Sequence, residues 1–214
     1  MKETIKTSRT AGYLEKIFRA INSKYFNNEL DMPIITIQST KGAYGHVSVS
    51  KVWRQGEKNA HELNIGAGTL DRPIENVVST LLHEACHLWA MQKGIQDCSR
   101  GGTYHNKRFK EIAEERDLQI SYDKRIGWSI TEPTEPLIDF IITQGWTDIQ
   151  MNRNEFYGYI PKTGTGGMAT GTQTPTGRTS HVRKYQCPCC KCSVRATKVV
   201  NIKCTDCDEH MVEV

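Results

Sequence analysis

Apolar side chains at Leu14, Ile17, Phe18 and Ile21 recur at three- and four-residue intervals, which predicts a first amphipathic helix ending near Phe26, with Ser8 or Thr10 as its cap. The pattern then shortens. Ile34, Ile35 and Ile37 lie within residues 33–39, Val47 and Val49 within 44–53, and Leu63 and Ile65 within 61–65, which predicts three extended stretches forming a small sheet. Helical spacing returns at Ile74, Val77, Val78, Leu81, Leu82, Ala85, Leu88 and Trp89, giving a long helix that starts near Asp71-Arg72-Pro73 and stops at Gly94. A further helix is expected from His105 to about Leu118, with Phe109, Ile112 and Ala113 on one face, and a short last element near residues 137–142.

From Pro161 to Ser180 seven threonines, five glycines and two prolines occur with almost nothing to bury, the composition of a flexible linker. The expected organisation is therefore a domain over residues 1–156, a linker over 157–182 and a small C-terminal module over 183–214, with an α+β fold of helices packed on a short sheet. A length of 214 residues accommodates one ordinary domain with such an appendage. No apolar run reaches the roughly 18 residues a bilayer span needs, and the start, Met1 to Lys6, lacks the apolar core of a signal peptide. The expectation is a cytoplasmic protein with no membrane partner.

Charge is unevenly placed. Residues 1–150 hold 19 basic and 19 acidic side chains, so the net +4 arises entirely after them. No acid occurs between Glu155 and Asp206, while eight basic residues do, which points to a polyanion such as DNA as partner of the C-terminal part.

Six of the eight cysteines fall in the last 28 residues: Cys187, Cys189, Cys190, Cys192, Cys204 and Cys207. Cys187/Cys190 and Cys204/Cys207 form two C-x-x-C pairs with the spacing of a tetrahedral thiolate zinc ribbon; Cys189/Cys192 is the alternative first pair, and His210 a weaker substitute ligand. About 30 residues bury too little apolar surface to fold alone, so the metal is expected to fold this module. Between the pairs Lys191, Arg195, Lys198 and Lys203 lie on a hairpin-like stretch, and Arg195, Lys198 and Lys203 are the expected phosphate contacts.

The long helix carries His83-Glu84-Ala85-Cys86-His87. Four-residue spacing stacks the two imidazoles on one helix face, within reach of one metal ion, with Glu84 beside them as general base. Such a motif is expected by chance in about one chain in fifty of this composition. A catalytic zinc keeps three protein ligands and one open position for water. The third ligand is open at this point: Ala90 and Lys93 exclude the metzincin continuation, Glu111 or Glu114 would give a gluzincin, and His105 is preferred because it opens the following helix on the face of Phe109 and Ile112.

These residues carry a resemblance. His83 to His87 followed by Tyr104-His105-Asn106-Lys107-Arg108-Phe109, with Asn22 and Phe26 in the early helix and Arg125-Ile126-Gly127-Trp128 later, is similar to the SprT-like metalloprotease family over roughly residues 11–130. The stretch Arg100 to Thr103 departs from the family pattern. The resemblance implies a zincin-type fold, His105 as third ligand, and protein substrates bound or crosslinked to DNA. The expectation is a metallopeptidase with two zinc ions, one catalytic and one structural; the rival is a non-proteolytic nucleic-acid-binding protein whose histidine site is structural or vestigial.

Overall fold

A computed structural model of the chain describes residues 6–40, 42–153, 183–196 and 198–214. The chain divides into two compact units, Met1–Thr172 and Gln173–Val214. The expected linker, residues 157–182, lies outside the described residues.

In the first unit helix α1 (Thr7–Phe26) buries Leu14, Ile17, Phe18 and Ile21 completely, as their spacing predicts. It begins earlier than expected, at Lys6, with Ser8 and Thr10 inside its first turns and no side-chain cap. It ends at Asn27 in the left-handed region, and the Asn22 amide then closes the turn by pairing both backbone groups of Leu30. Three strands follow as one sheet in the order β1 (Ile34–Gln38), β5 (Glu62–Gly66), β2 (Gly45–Val47), with β1 parallel and β2 antiparallel to the central β5. The stretch read as one element over residues 44–53 splits: β2 ends at Val47, and Trp53–Gln55 (β3) instead pairs with Lys58–Ala60 (β4).

Helix α2 (Ile74–Gln92) is the centre of the core. Ile74, Val77, Val78, Leu81, Leu82, Ala85 and Leu88 are all fully buried, so α2 is held by apolar contact with α1 and the sheet rather than by helix propensity. Pro73 is its N-cap, and Gly94 at φ +66 ends it.

A second sheet then forms, in the order β6 (Cys98–Ser99), β7 (Tyr104–His105), β9 (Gly127–Pro133), β8 (Leu118–Asp123), with helix α3 (Lys107–Glu114) between β7 and β8. Helix α4 (Glu135–Gln144) closes the described part of the unit, burying Leu137, Ile138 and Ile141. No helix among the described residues is long and apolar enough to cross a membrane.

The second unit holds a three-stranded sheet, β11 (Ser193–Ala196), β10 (Arg183–Gln186), β14 (Val212–Glu213), and a two-stranded ribbon, β12 (Lys203–Cys204) with β13 (Glu209–His210). Its described apolar interior is small: Tyr185, Cys187 and Cys204 are the buried side chains.

Candidate metal centres

Three imidazoles converge at the junction of α2 with the second sheet. The Nε2 atoms of His83 and His105 lie 3.1 Å apart, those of His87 and His83 3.2 Å, and those of His87 and His105 3.0 Å. Zinc–nitrogen bonds of about 2.0–2.1 Å at tetrahedral angles would set such atoms about 3.3 Å apart, so the trio fits a metal ion of that size. The far nitrogen of each ring is held as a donor. His83 Nδ1 meets Thr131 Oγ1 at 2.7 Å, and that hydroxyl donates onward to the carbonyl of Ser129. His87 Nδ1 meets the Asp97 carboxylate at 2.6 Å, and His105 Nδ1 faces the carbonyl of Ile126 at 3.3 Å. With each Nδ1 proton engaged, the three Nε2 lone pairs are left to point at one another's common centre. Phe109 packs against all three rings at centroid distances of 4.5, 4.4 and 4.7 Å, fixing their orientation with apolar surface.

His105 reaches this position from an element the sequence did not predict. It lies in β7, and Asn106 caps α3 by accepting the backbone N–H groups of Arg108 and Phe109, so the helix starts at Lys107. The departure at Arg100 to Thr103 is the turn that returns the chain from β6 to β7: Arg100, Gly101 and Gly102 all have positive φ, 52°, 67° and 89°. Gly127 sits opposite His105 with φ +74, and a Cβ there would collide with the His105 carbonyl oxygen. Only glycine lets β9 approach β7 closely enough to set the third imidazole. Glu111 and Glu114, the gluzincin alternatives, are not part of the cluster.

Burial sets the protonation of the three imidazoles. His83 is pushed well below the usual imidazole range by burial and then by its two neighbours, and His105 is pushed down to about 4 by burial and by His87. For His87 burial also lowers the pKa, but the Asp97 hydrogen bond, the Cys98 thiol, Glu84 and the charge of Asp97 more than offset it and raise it to about 10. Without metal and near neutral pH, the trio therefore carries one proton beyond the three on Nδ1, on Nε2 of His87. A metal must displace that proton, so zinc uptake by this site at pH 7.5 should release about one proton per ion, and apparent affinity should fall about tenfold for each unit of pH lost. Indicator-dye titration of a Cys204→Ser, Cys207→Ser variant, which removes thiol protons from the count, checks this.

Sequence reasoning missed Asp97 and Thr131, the two side chains that orient His87 and His83. Asp97 is buried and its carbonyl accepts the N–H of Asn106, which locks the start of β6 to the start of α3. Cys98 Sγ also approaches His87 Nδ1, at 3.9 Å, so His87, Asp97 and Cys98 form a group on the outer side of the ring, the side that supports the ligand. Asp97→Asn should weaken zinc binding about 10- to 100-fold, measured by competition with a chromophoric chelator, because the amide cannot supply the charge that makes the ring basic.

Glu84 is buried beside the trio, and the backbone N–H of Val47 in β2 reaches its carboxylate. Burial raises its pKa to about 7, against the lowering effects of His87 and that N–H. The carboxylate can thus both take and return a proton near neutral pH. The chain's match to the SprT-like family model spans residues 14–124, which contain most of α1 from Leu14 onward, the first sheet, α2, His105 and α3. The chain belongs to the SprT-like family. That family is associated with metalloprotease activity. No curated protein and no solved structure matches the chain.

In the second unit the Sγ atoms of Cys187, Cys190, Cys204 and Cys207 all lie within 4.8 Å of one another, with Cys190 and Cys204 3.7 Å apart. Sulfurs on a tetrahedral zinc at about 2.3 Å would be separated by about 3.8 Å, so this set also fits a metal ion. Each C-x-x-C pair is followed by a residue in the left-handed region, Lys191 at φ 62 and Asp208 at φ 57, which curls both loops around the sulfurs. Cys192 Sγ also lies 3.7 Å from Cys204 Sγ, but neither it nor Cys189 is among the four sulfurs that all lie within 4.8 Å of one another, and His210 bonds Asn201 instead. Of the expected phosphate contacts, Lys203 is ion-paired with Asp208.

Proposed function

We propose that this SprT-like chain is a zinc-dependent endopeptidase. The observation that carries the reading is the convergence of three Nε2 lone pairs with the Glu84 carboxylate beside them. A zinc ion held by His83, His87 and His105 would polarise a peptide carbonyl and lower the pKa of water. Glu84 takes the proton of the attacking water and delivers it to the leaving amine. Val47, whose N–H holds that carboxylate, lies in β2, one of the two edge strands of the first sheet. Tyr44 and Ser48, which flank β2, bond to Gly66 and Glu62, so the backbone groups of Gly45 and Val47 face away from β5; apart from the Val47 N–H that Glu84 accepts, they offer an edge on which an extended substrate can lie.

The rival reading, a structural metal in a non-proteolytic protein, calls for a fourth protein ligand. Among the described residues the histidine cluster has three members, which favours catalysis. The proposed substrate class, DNA-associated or DNA-crosslinked proteins, follows from the resemblance to SprT-like metalloproteases alone, and the proposed location is the cytoplasm, at the nucleoid if the chain binds DNA. The four cysteines would hold a second zinc ion, and the ribbon over residues 183–214 would serve as a docking module for nucleic acid, through Arg195, Lys198 and Lys203, or for a partner protein. Its six basic residues face four acidic ones, and four thiolates around a dication add a formal −2, so the filled module is neutral and its charge favours the protein partner. The test is cleavage of casein and of histone by purified protein: activity should disappear on chelation and return with stoichiometric zinc. Zinc-loaded protein that leaves both substrates intact, with and without single-stranded DNA, overturns the reading.

A further inference from the structure

Four cysteines complete a tetrahedral zinc site, yet the second unit carries six, and the two left over stand beside the ligands. Cys192 Sγ lies 3.7 Å from Cys204 Sγ, the same separation that Cys190 Sγ keeps from it. Cys192 also meets the Cys190 thiol, and Cys189 meets that of Cys207. Both ligands of the second C-x-x-C pair, Cys204 and Cys207, therefore have a sulfur neighbour outside the tetrahedral set.

The backbone fixes Cys192 in this place. The N–H of Cys187 donates to the Cys192 carbonyl at 2.9 Å and the N–H of Lys191 to the Cys187 carbonyl at 3.1 Å, with Lys191 at φ 62 turning the chain back between them. Immediately afterwards Ser193 opens β11, so Cys192 is held between a closed turn and a paired strand. Cys204 ends β12 and is buried, whereas Cys192 is exposed. A small oxidant in solvent meets Cys192 directly, and the sulfur behind it is that of Cys204.

We propose that Cys192 and Cys204 form an oxidation site for hydrogen peroxide, and that the disulfide made there takes a ligand from the ribbon zinc and releases the ion. The Cys192 sulfur attacks the O–O bond and becomes a sulfenic acid, while the other oxygen leaves as water with the thiol proton. The Cys204 thiolate then attacks that sulfur; the S–S bond forms, the S–O bond breaks and hydroxide leaves. Two electrons pass from the two sulfurs to one peroxide, giving one disulfide, one water and one hydroxide. Three sulfurs of the original four remain for the ion, and Cys189 stands ready to take Cys207 in the same way. The described module buries Tyr185, Cys187 and Cys204 and little else, so loss of its ion is loss of its fold. Docking through the ribbon would thus follow the redox state, while the histidine cluster, which has no thiol among its three members, keeps its own ion.

The test treats the zinc-loaded full chain with hydrogen peroxide and follows freed zinc with a chromophoric chelator. The inference rests on the proposed ribbon zinc, so ions are counted before oxidation. A protein holding one ion per chain at that stage fails the ribbon reading itself, whereas one that holds two and gives up neither on oxidation overturns this inference alone. The expected result is release of about one ion per chain, with the count restored by dithiothreitol and added zinc. After alkylation of free thiols, a tryptic digest should show residues 192–195 joined to residues 204–214, with fragmentation placing the bond at Cys204. Cys192→Ser should abolish that crosslink. Cys189→Ser with Cys192→Ser should hold the same two ions as the parent and release the ribbon ion about tenfold more slowly or slower still. Release from this double variant at the parental rate overturns the inference, and so does a disulfide that joins Cys187 to Cys190 instead. Loss of an ion from either variant before oxidation, or a parent holding more than two ions, makes the two extra sulfurs ligands and overturns it as well.

Discussion

Glu84→Gln should lower kcat/KM for peptide hydrolysis by about 10²- to 10⁴-fold while zinc content stays that of the parent. The amide keeps the shape of the side chain and its contact with Val47, but it cannot accept a proton from the attacking water. None of the three converging Nε2 atoms depends on it. The same substitution should stabilise the metal-free protein, and the sign follows from burial. The folded carboxyl titrates at about 7, above its ordinary 4.5, so the charged form is disfavoured by folding. That cost is absent below pH 4.5, grows between 4.5 and 7, and is complete above 7, where it amounts to at most on the order of 3 kcal/mol. Metal-free Glu84→Gln should therefore melt several degrees higher than the parent at pH 8 and alongside it at pH 4. Zinc-loaded Glu84→Gln that hydrolyses casein at the parental rate removes Glu84 from the chemistry.

What was legible in the chain was what depends on local periodicity. His83, Glu84 and His87 are fixed by the 3.6-residue turn of α2, and the apolar stripe that buries that helix is written in the same residues. His105 was identifiable as a residue but not as a strand. The distinction rests on two contacts distant in sequence, the Asp97 carbonyl with the Asn106 N–H and the close approach of Gly127, which no local pattern encodes. The hairpin of β8 and β9 has no local signal, because its turn, through Asp123, Lys124 and Arg125, lacks a short glycine turn signal and because register shifts between Ser121 and Asp123 break the alternation. Thr131, which lies on β9, has no local signal for the same reason. Asp97 needed both the hairpin turn at Arg100–Thr103 and the position of α2; the visible signal was only an acid ten residues beyond a ligand histidine.

Cys204→Ser with Cys207→Ser should reduce bound zinc from about two ions per chain to about one and unfold the C-terminal module. The described module buries Tyr185 and two of its own cysteines and little else, so with zinc on the four proposed cysteines its folding free energy would be essentially that of metal binding, about 10–16 kcal/mol for structural zinc at neutral pH. Loss of two thiolates leaves the pairing of β12 with β13 without a centre. Limited proteolysis should then cut within residues 183–214 while the first unit, whose core around α2 is independent of these cysteines, stays intact. Hydrolysis of casein should persist, because the machinery proposed for it is His83, His87, His105 and Glu84. Cys189→Ser and Cys192→Ser separate the two pairings of cysteines. With Cys187 and Cys190 as ligands both variants keep two ions, whereas loss of an ion in either one moves the first pair to Cys189 and Cys192. A zinc count that stays at two in the Cys204→Ser, Cys207→Ser protein would show that these sulfurs hold no metal, and the module would need another source of stability.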